Sequence, residues 1–275
     1  VNNASVTDTE EGPGFIAMAA LTGVPENPRE PGYYTEEAVL TREITAYACD
    51  KAQEAGLNSW CLWYVSSSNI LDAARGEAAG HIYCPVFVFH IGHGGYDIMP
   101  VWPYGEEIHW YLVDHEGEKV YDYQLYANSG QRRVHFAFIW SCHSADTIGG
   151  IYPWSNRAFG MPMAWLHTFL LSHDGYEDPD GNGYLFIGWT QYAPQLHVDN
   201  IGGENENTGY WFLRYFFNYV FAGFTVNRAL DFASQNLWGV NSFKDSVFYQ
   251  GFCMDDDWYQ MKVYGDGSIE ISEWT

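Results

Sequence analysis

The stretches VFVFHIGHGG, residues 86–95, and HFAFIWSCHSAD, residues 135–146, decide the interpretation of this chain. Each begins as a strongly apolar run of strand length and ends directly at residues that can do chemistry. The first run ends near His93, which two glycines follow, and the second ends near Cys142. If the two runs are neighbouring parallel strands, their carboxyl ends lie at one edge of the sheet and bring His93 and Cys142 together.

A thiol and an imidazole at such an edge are suited to acyl transfer. A thiolate attacks a carbonyl carbon, an imidazole protonates the leaving amine, and backbone N–H groups hold the developing oxyanion. Gly94 has no β-carbon, so its backbone can approach a substrate closely. We therefore predict His93 and Cys142 as the catalytic pair and the N–H groups of Gly94 and Cys142 as the oxyanion donors.

The segments around these two runs alternate between strand and helix patterns. An apolar run at 15–21 precedes a helical pattern that begins at Thr35 and ends near Gly56. A strand pattern at 60–65, a helical pattern at 67–79 and the apolar strand that ends near His90 follow. Such alternation is typical of an α/β fold, with a mostly parallel central sheet flanked by helices.

Two β-hairpins are also predicted. HWYLVDH, residues 109–115, and KVYDYQLY, residues 119–126, alternate between apolar and polar residues and form a hairpin inserted after the His93 loop. Residues 259–264 and 268–272, joined by Gly265-Asp266-Gly267, form a C-terminal hairpin. Residues 1–14 are interpreted as an extended leader, and residues 15–275 as a single domain.

Composition and charge narrow the class of protein. Hydrophobic residues make up 47% of the 275 residues and aromatic residues 18%, which predicts a packed globular protein. The formal net charge is -23. A surface this acidic repels phosphate backbones and anionic lipid, so nucleic-acid binding and membrane binding are not expected. A solvated acidic face that serves solubility is an equally good interpretation of the charge.

The five cysteines form an odd set: Cys49, Cys61, Cys84, Cys142 and Cys253. In an exported protein, four of them could form two disulfides and leave one free thiol, and the sequence does not reveal the connectivity. The alternative, in a reducing compartment, is five buried thiols. We predict an extracellular protein with a free Cys142.

On the basis of these motifs, the chain resembles the caspase, legumain, clostripain and gingipain cysteine peptidases. Their signature is one apolar strand ending in His-Gly and another ending in a small residue plus Cys, which His93-Gly94 and Ser141-Cys142 match. FIGWTQ, residues 186–191, the paired helices at 211–234, and VYGDGSIEI, residues 263–271, look like the gingipain-like branch. The resemblance implies a caspase-like (caspase-haemoglobinase) fold over residues 80–275.

The resemblance also implies substrate-binding residues. Trp189, Gln191 and Tyr192 would lie near a substrate-side pocket, although aromatic residues in such a chain are also candidates for the core. In clostripain-like members, an acidic residue two positions before the cysteine selects arginine. Trp140 occupies that position here, so it is assigned to the substrate-binding set and arginine specificity does not carry over.

Three further features have competing interpretations. His143 stands beside Cys142, but as a sequence neighbour at a strand end it is expected to be structural or to face substrate. His90 is expected to be a core histidine with satisfied hydrogen bonds. His90 and His93 form an H-x-x-H pair, which with His81, His109 or His115 would make a zinc site; their strand-to-loop position is not favourable for one.

The acidic stretch DGYEDPDGN, residues 174–182, is a candidate calcium loop with Asp174, Asp178, Asp180 and Asn182 as ligands. Some relatives in the resembled family use calcium. The stretch lacks the terminal glutamate of an EF-hand, because Leu185 occupies the twelfth position, and an acidic surface turn is the other interpretation.

The sequence therefore predicts a secreted cysteine endopeptidase that cleaves peptide bonds through a thioacyl intermediate. No cofactor is required, calcium is a candidate ligand, the partner is a peptide or protein substrate, and a homo-oligomer is a further expectation. The alternative is a catalytically silent caspase- or gingipain-like fold that acts as an extracellular structural, assembly-forming or binding protein. The 12 Trp, 21 Tyr and 17 Phe residues favour that alternative, since exposed aromatics often anchor interfaces.

Overall fold

The computed structural model of the protein describes residues 10–21, 35–101, 105–146, 160–167 and 174–275. Twelve strands lie in these ranges: β1 (Gly14–Ala19), β2 (Asn58–Leu62), β3 (Glu77–Ala78), β4 (His81–Ile82), β5 (Val86–Ile91), β6 (Gly94–Val101), β7 (Gly105–Val113), β8 (Lys119–Tyr121), β9 (Val134–Trp140), β10 (Leu185–Gln191), β11 (Phe252–Met254) and β12 (Asp257–Gly265). The α-helices there are α1 (Glu36–Glu54), α2 (Ser67–Ala74), α3 (Asp122–Asn128), α4 (Met161–Leu166), α5 (Thr208–Val220), α6 (Val226–Trp238) and α7 (Val247–Gln250).

A seven-stranded sheet with the order β11-β12-β10-β9-β5-β1-β2 positions the site. The pairs β2–β1, β1–β5, β5–β9 and β9–β10 are parallel, and β12 and β11 complete one edge in antiparallel fashion. The predicted α/β class, with a mostly parallel central sheet flanked by helices, is confirmed. Because β5 and β9 are neighbours, the two loops that carry His93 and Cys142 leave the sheet side by side.

The two faces of the sheet bury separate apolar layers. One layer contains the aromatic residues of β5, β9 and α5 together with α1 and α6, and Phe217 is fully buried in it. The other layer is covered by α2, α3 and α4 and includes Trp110, Leu112 and Val120 of the inserted strands. Since successive side chains of a strand point to opposite faces, strands covered on both faces are largely apolar, as β5 and β9 are apart from His90 and His135.

Helix α1 shows how local sequence sets the ends of an element. Thr35 is its N-cap, and the Thr35 hydroxyl accepts a hydrogen bond from the N–H of Ala38 at 3.2 Å. Two glutamates in the first turn and Lys51 in the last turn complement the helix dipole. The predicted helix from Thr35 to near Gly56 is confirmed.

The inserted element is larger than predicted. Strands β6, β7 and β8 form a three-stranded antiparallel sheet, in which Tyr96 pairs with Trp110 and Ile98 with Ile108. The predicted second strand, residues 119–126, is only partly extended, because α3 begins at Asp122. Helix periodicity in such a short segment is hidden by its aromatic residues.

The C-terminal hairpin is formed by other residues than predicted. Its strands are β11 and β12, so the segment before residue 257 pairs with β12, not the segment after Gly265. The chain beyond Gly265 makes a single bridge between Glu270 and Thr225 and ends in a 3₁₀ turn, Ile271–Trp274. The alternation at 268–272 arises because Ile269 and Ile271 are buried, and these residues do not form a strand.

Most of the predicted leader, residues 1–9, lies outside the described residues. That residues 15–275 form one domain stays a prediction. In the part of the chain that the structure describes, no helix is both long enough and apolar enough to cross a membrane.

Candidate active site

The loops after β5 and β9 meet at the carboxyl ends of these strands. Ile91 is in register with Trp140, and the N–H of Gly92 donates a hydrogen bond to the carbonyl of Trp140 at 3.2 Å. The pairing therefore continues one residue beyond β5. It brings the segment that contains His93 alongside the segment that contains Cys142, as the sequence predicts.

Gly94 packs directly against the cysteine loop. A β-carbon at position 94 would lie 2.7 Å from the carbonyl oxygen of Cys142 and 3.0 Å from the carbonyl oxygen of Tyr111, and it would overlap the hydroxyl of Ser141. Real β-carbons do not approach backbone oxygens this closely. Glycine is therefore required at this position for the two loops to touch.

The backbone N–H groups of Gly94 and Cys142 are the predicted oxyanion donors. The N–H of Val113 donates to the carbonyl of His93 at 3.0 Å, so His93 and Val113 form a hydrogen-bonded antiparallel pair. The next pair, Gly94 with Leu112, is then of the other type, and the N–H of Gly94 points away from β7. The N–H of Cys142 makes no backbone hydrogen bond with any described residue.

The Cys142 thiol is partly buried beside β12. Burial raises the pKa of Cys142, and the nearby Asp257 carboxylate raises it further, whereas the N–H groups of Ala193 and of Cys142 itself lower it. The thiol thus faces two N–H donors that would stabilise a thiolate and one carboxylate that would oppose it. Ala193 was not anticipated, because a backbone donor leaves no signal in the sequence.

The His93 side chain is exposed and makes no hydrogen bond with any residue in the described ranges. The imidazole and the Cys142 thiol therefore share an edge of the sheet without a direct hydrogen bond between them. No third residue in those ranges orients His93. Catalytic hydrogen bonds are often loose without substrate, so this arrangement is compatible with a dyad that tightens on binding.

The residues after Cys142 form a turn that docks onto the end of β10. The N–H of His143 donates to the carbonyl of Gln191 at 2.5 Å, and the N–H of Gln191 donates to a carboxylate oxygen of Asp146 at 3.2 Å. The N–H of Ala145 donates to the carbonyl of Trp189 at 2.9 Å. The turn at 143–146 therefore continues the sheet where β9 has ended and has a fixed position.

Within this turn, Asp146 orients His143. Nδ1 of His143 lies 2.6 Å from Oδ2 of Asp146. The His143 ring makes an edge contact with Tyr96, at 5.1 Å between centroids, and a tilted contact with Tyr192, at 5.7 Å. The sequence predicted a structural or substrate-facing role for His143 but did not identify Asp146, since acidic residues are too abundant in this chain to single one out.

A cleft with a volume of about 450 Å³ opens between the inserted sheet and this turn. Tyr96, Ile108 and Trp110 form the wall on the inserted sheet. The opposite wall is formed by the turn and the end of β10: His143, Asp146, Gln191 and Tyr192. The residues of the inserted sheet were missed, because their cross-strand pairing becomes visible only when β6 is recognised as a strand.

The four predicted substrate-binding residues divide into two groups. Gln191 and Tyr192 line the cleft. Trp140 and Trp189 are 2% and 0% exposed, and their rings pack against each other at 4.9 Å in the aromatic layer beneath. The placement of Trp140 and Trp189 in a substrate-side pocket is corrected: both are core residues, because β9 and β10 are covered on that face by α5 and α7.

The candidate calcium ligands make hydrogen bonds within the protein instead of converging. Asp174 accepts a hydrogen bond from the Tyr249 hydroxyl at 2.6 Å, and Asp180 accepts one from the Asn182 amide at 2.6 Å. Among the described residues, no group of three or more His, Cys, Asp or Glu side chains could hold a metal ion. Asp178 and the five histidines considered for a zinc site therefore belong to no such group.

One disulfide joins Cys49 of α1 to Cys61 of β2. Cys84, Cys142 and Cys253 are free thiols, so the expected set of two disulfides and one free cysteine is replaced by one disulfide and three thiols. Both α1 and β2 lie away from the His93 loop. The disulfide links the edge strand β2 to helix α1, which packs against it, and leaves Cys142 as a free thiol.

His90 lies directly under the loop that carries His93. It is completely buried, and neither ring nitrogen has a hydrogen-bond partner among the described residues. The prediction of a core histidine with satisfied hydrogen bonds is therefore right about its burial and wrong about its hydrogen bonds. Its ring also packs under Gly92, where a β-carbon would lie 3.1 Å from the ring. Burial lowers the pKa of His90 from 6.5 to about 3, and a contact with its own backbone offsets this only in part.

This buried imidazole predicts a loss of stability in acid. Between the folded pKa of about 3 and the unfolded value of 6.5, the unfolded chain binds one more proton at residue 90 than the native protein does. The free energy of unfolding therefore falls as the pH decreases through this window, by about 3 kcal/mol between pH 7 and pH 4. In His90→Leu this part of the fall is expected to disappear in urea unfolding at the two pH values. Met18→Leu, at the position in register with His90, is the matched control, and an unchanged fall in His90→Leu would contradict the prediction.

The chain was compared with known proteins. No family model matches it, and no curated protein matches its sequence. The structure is similar to a crystal structure of a Geobacter sulfurreducens protein, with 18% identity and a TM-score of 0.42 over 92% of this chain and 94% of that chain. It is also similar to the crystal structure of caspase-1 from Spodoptera frugiperda, with 13% identity and a TM-score of 0.38 over 99% and 97% of the two chains. Both similarities are too weak to carry an argument, and the functional conclusion rests on the geometry of the site.

Proposed function

We propose that the protein is a cysteine endopeptidase in which Cys142 is the nucleophile and His93 the general acid and base. The observation that carries the proposal is the contact between the two loops, in which Gly94 packs against Ser141 and Cys142 with no room for a β-carbon. This contact between a histidine loop and a cysteine loop on neighbouring parallel strand ends supports the proposal, because acyl transfer needs its nucleophile and its base held near each other.

In the proposed reaction, the Cys142 thiol loses its proton to His93, and the thiolate sulfur forms a bond to the scissile carbonyl carbon. The N–H groups of Gly94 and Cys142 stabilise the oxyanion, which then collapses. The carbon–nitrogen bond breaks, the amine takes the proton from His93, and a thioacyl-enzyme remains. His93 next takes a proton from water, whose oxygen attacks the thioester, and the acid product and the thiol are regenerated.

Two features of the chain support the proposed secretion and the proposed branch of the fold. The disulfide between Cys49 and Cys61 favours an oxidising compartment, so we include secretion in the proposal. The sequence resemblance to gingipain-like peptidases at 186–191 and 263–271 favours that branch of the caspase-like fold. The partner would be a peptide or protein substrate, and no cofactor enters the reaction.

A second candidate is a catalytically silent binding protein with the same fold. Burial and Asp257 raise the pKa of Cys142, which disfavours the thiolate, and no described residue orients His93. Exposed aromatic residues on the inserted sheet, such as Tyr96 at 47% exposure, would then serve partner binding.

Covalent labelling separates the two candidates. The protein is incubated with an acyloxymethyl-ketone peptide library, with and without calcium, and the adduct is mapped. The endopeptidase should be labelled at Cys142, and His93→Ala should lower the labelling rate by about a hundredfold or more. Cys253→Ala, which removes an exposed free thiol, is the matched control and should be labelled as the native protein is. No adduct at Cys142, together with no peptide cleavage, would leave the binding protein as the function.

A further inference from the structure

We propose that the cleft between the inserted sheet and the 143–146 turn binds the side chain on the acyl side of the scissile bond and selects tyrosine. The tyrosine ring lies between the aromatic walls, and its hydroxyl group binds Nε2 of His143. This inference rests on the proposed endopeptidase function, because it places the cleft next to the reacting thiol.

The cleft adjoins the nucleophile on two sides. His143 follows Cys142 in the chain, and Tyr192 precedes Ala193, whose N–H lies beside the Cys142 thiol. On the opposite wall, Tyr96 follows the Gly94-Gly95 segment that carries the candidate oxyanion donor. A peptide whose carbonyl carbon reaches Cys142 therefore has its nearest side chain at the entrance to this cleft.

The walls of the cleft favour a planar apolar ring. Tyr96 and Trp110 are paired across β6 and β7, and Ile108 continues the same face of the inserted sheet. Tyr192 stands on the other wall and is 37% exposed. Aromatic rings gain from edge and offset contacts with one another, so the three aromatic side chains on the two walls favour an aromatic side chain over an aliphatic one.

Nε2 is the polar atom that the His143 side chain offers to a ligand. The Asp146 carboxylate can only accept hydrogen bonds, so the close Nδ1 atom of a neutral His143 carries the proton and Nε2 has a free lone pair. Nε2 has no hydrogen-bond partner in the described part of the chain. It is also not one of the unpaired polar atoms there that are buried away from solvent. The other carboxylate oxygen of Asp146 is occupied by the N–H of Gln191.

The hydrogen bonds that His143 and Asp146 already make limit which substrate side chain can bind in the cleft. A lysine or arginine would compete with His143 and with the N–H of Gln191 for the Asp146 carboxylate, whose two oxygens each already accept a hydrogen bond. An acidic side chain would face the lone pair of Nε2. Phenylalanine would fill the cleft but leave Nε2 unpaired, which a buried polar group does not tolerate without loss. A tyrosine hydroxyl donates a hydrogen bond to Nε2 of the neutral imidazole, so tyrosine fills the cleft and also pairs this atom.

The inference is tested by binding as well as by cleavage. Two peptides that differ only in tyrosine or phenylalanine before the scissile bond are titrated against Cys142→Ala, which binds without turnover. The tyrosine peptide should bind about tenfold more tightly, and the native enzyme should show a similar ratio in kcat/KM. A lysine or arginine peptide that binds best, or equal binding of the tyrosine and phenylalanine peptides, would overturn the inference.

His143 variants identify the origin of the preference. In His143→Phe the tyrosine-to-phenylalanine ratio should fall to about one, whereas His143→Gln, which retains a hydrogen-bond acceptor, should keep part of the preference. Thermal unfolding of each variant establishes that it is folded, and His143→Gln carries the test if His143→Phe is not. Failure of the two proposals is distinguishable: labelling at Cys142 without tyrosine preference rejects only the specificity. Tyrosine-selective binding without labelling rejects only the peptidase.

Discussion

Replacing Gly94 by alanine is expected to lower the proposed peptidase activity by about a hundredfold or more. The new β-carbon would meet the backbone oxygens of Cys142 and Tyr111 and the hydroxyl of Ser141, so the His93 loop must move away from the cysteine loop. A displacement of about 1 Å between catalytic groups has an effect of this size. The measurement is the rate of cleavage of a peptide substrate, or of labelling at Cys142.

Gly130→Ala is the matched control for Gly94→Ala. Gly130 lies after α3 and has one atom, on His167, within reach of an added β-carbon, at an ordinary contact distance of 3.8 Å. This variant should cleave and be labelled as the native protein is. Gly94→Ala should also lose about 1–3 kcal/mol in the free energy of unfolding, as over-packed sites do. Full activity in Gly94→Ala would show that the contact between the loops does not matter for catalysis.

Replacing Phe217 by alanine is expected to lower the free energy of unfolding by about 3–5 kcal/mol. Phe217 is fully buried in α5, and its ring contacts Phe89 of β5 at 4.8 Å and Phe216 at 5.5 Å between centroids. Truncation leaves a cavity between α5 and the strand that carries the His93 loop. Guanidinium unfolding followed by circular dichroism measures the change.

Phe224→Ala serves as the control for Phe217→Ala, because Phe224 is 40% exposed in the α5–α6 connection. It removes the same atoms from a site that water can fill, and it should lose much less stability. A loss below about 1 kcal/mol in Phe217→Ala would mean that α5 does not pack on the sheet as described, since even partial collapse of such a cavity leaves a larger cost.

The strand pattern of the chain predicts much of the fold. β9 spans Val134–Trp140, the run that was predicted from its apolar residues, because strands buried on both faces have no polar alternation to blur their ends. The helices α5 and α6 together span the region of the paired helices expected at 211–234. The predictions failed at α3 and at the C-terminal hairpin, where short segments rich in aromatic residues suit a strand or a helix equally.

The candidate site, like the fold, could be predicted from the sequence only in part. That His93 and Cys142 leave neighbouring strands could be predicted, because the apolar runs fix the strands and parallel pairing fixes their ends. The assignment of Trp140 and Trp189 to substrate binding could not be corrected from the sequence. Which face of β9 and β10 is covered by α5 and α7 depends on packing between segments far apart in the chain.

The sequence by itself determined that β5 and β9 are buried strands and that each ends at a reactive residue, since hydrophobic burial acts on local runs of side chains. Only the tertiary structure decided that Gly94 has no room for a β-carbon, that Asp146 orients His143, and that His90 lies unpaired beneath the loop. These properties come from distances between atoms of different segments, and no local pattern encodes such distances.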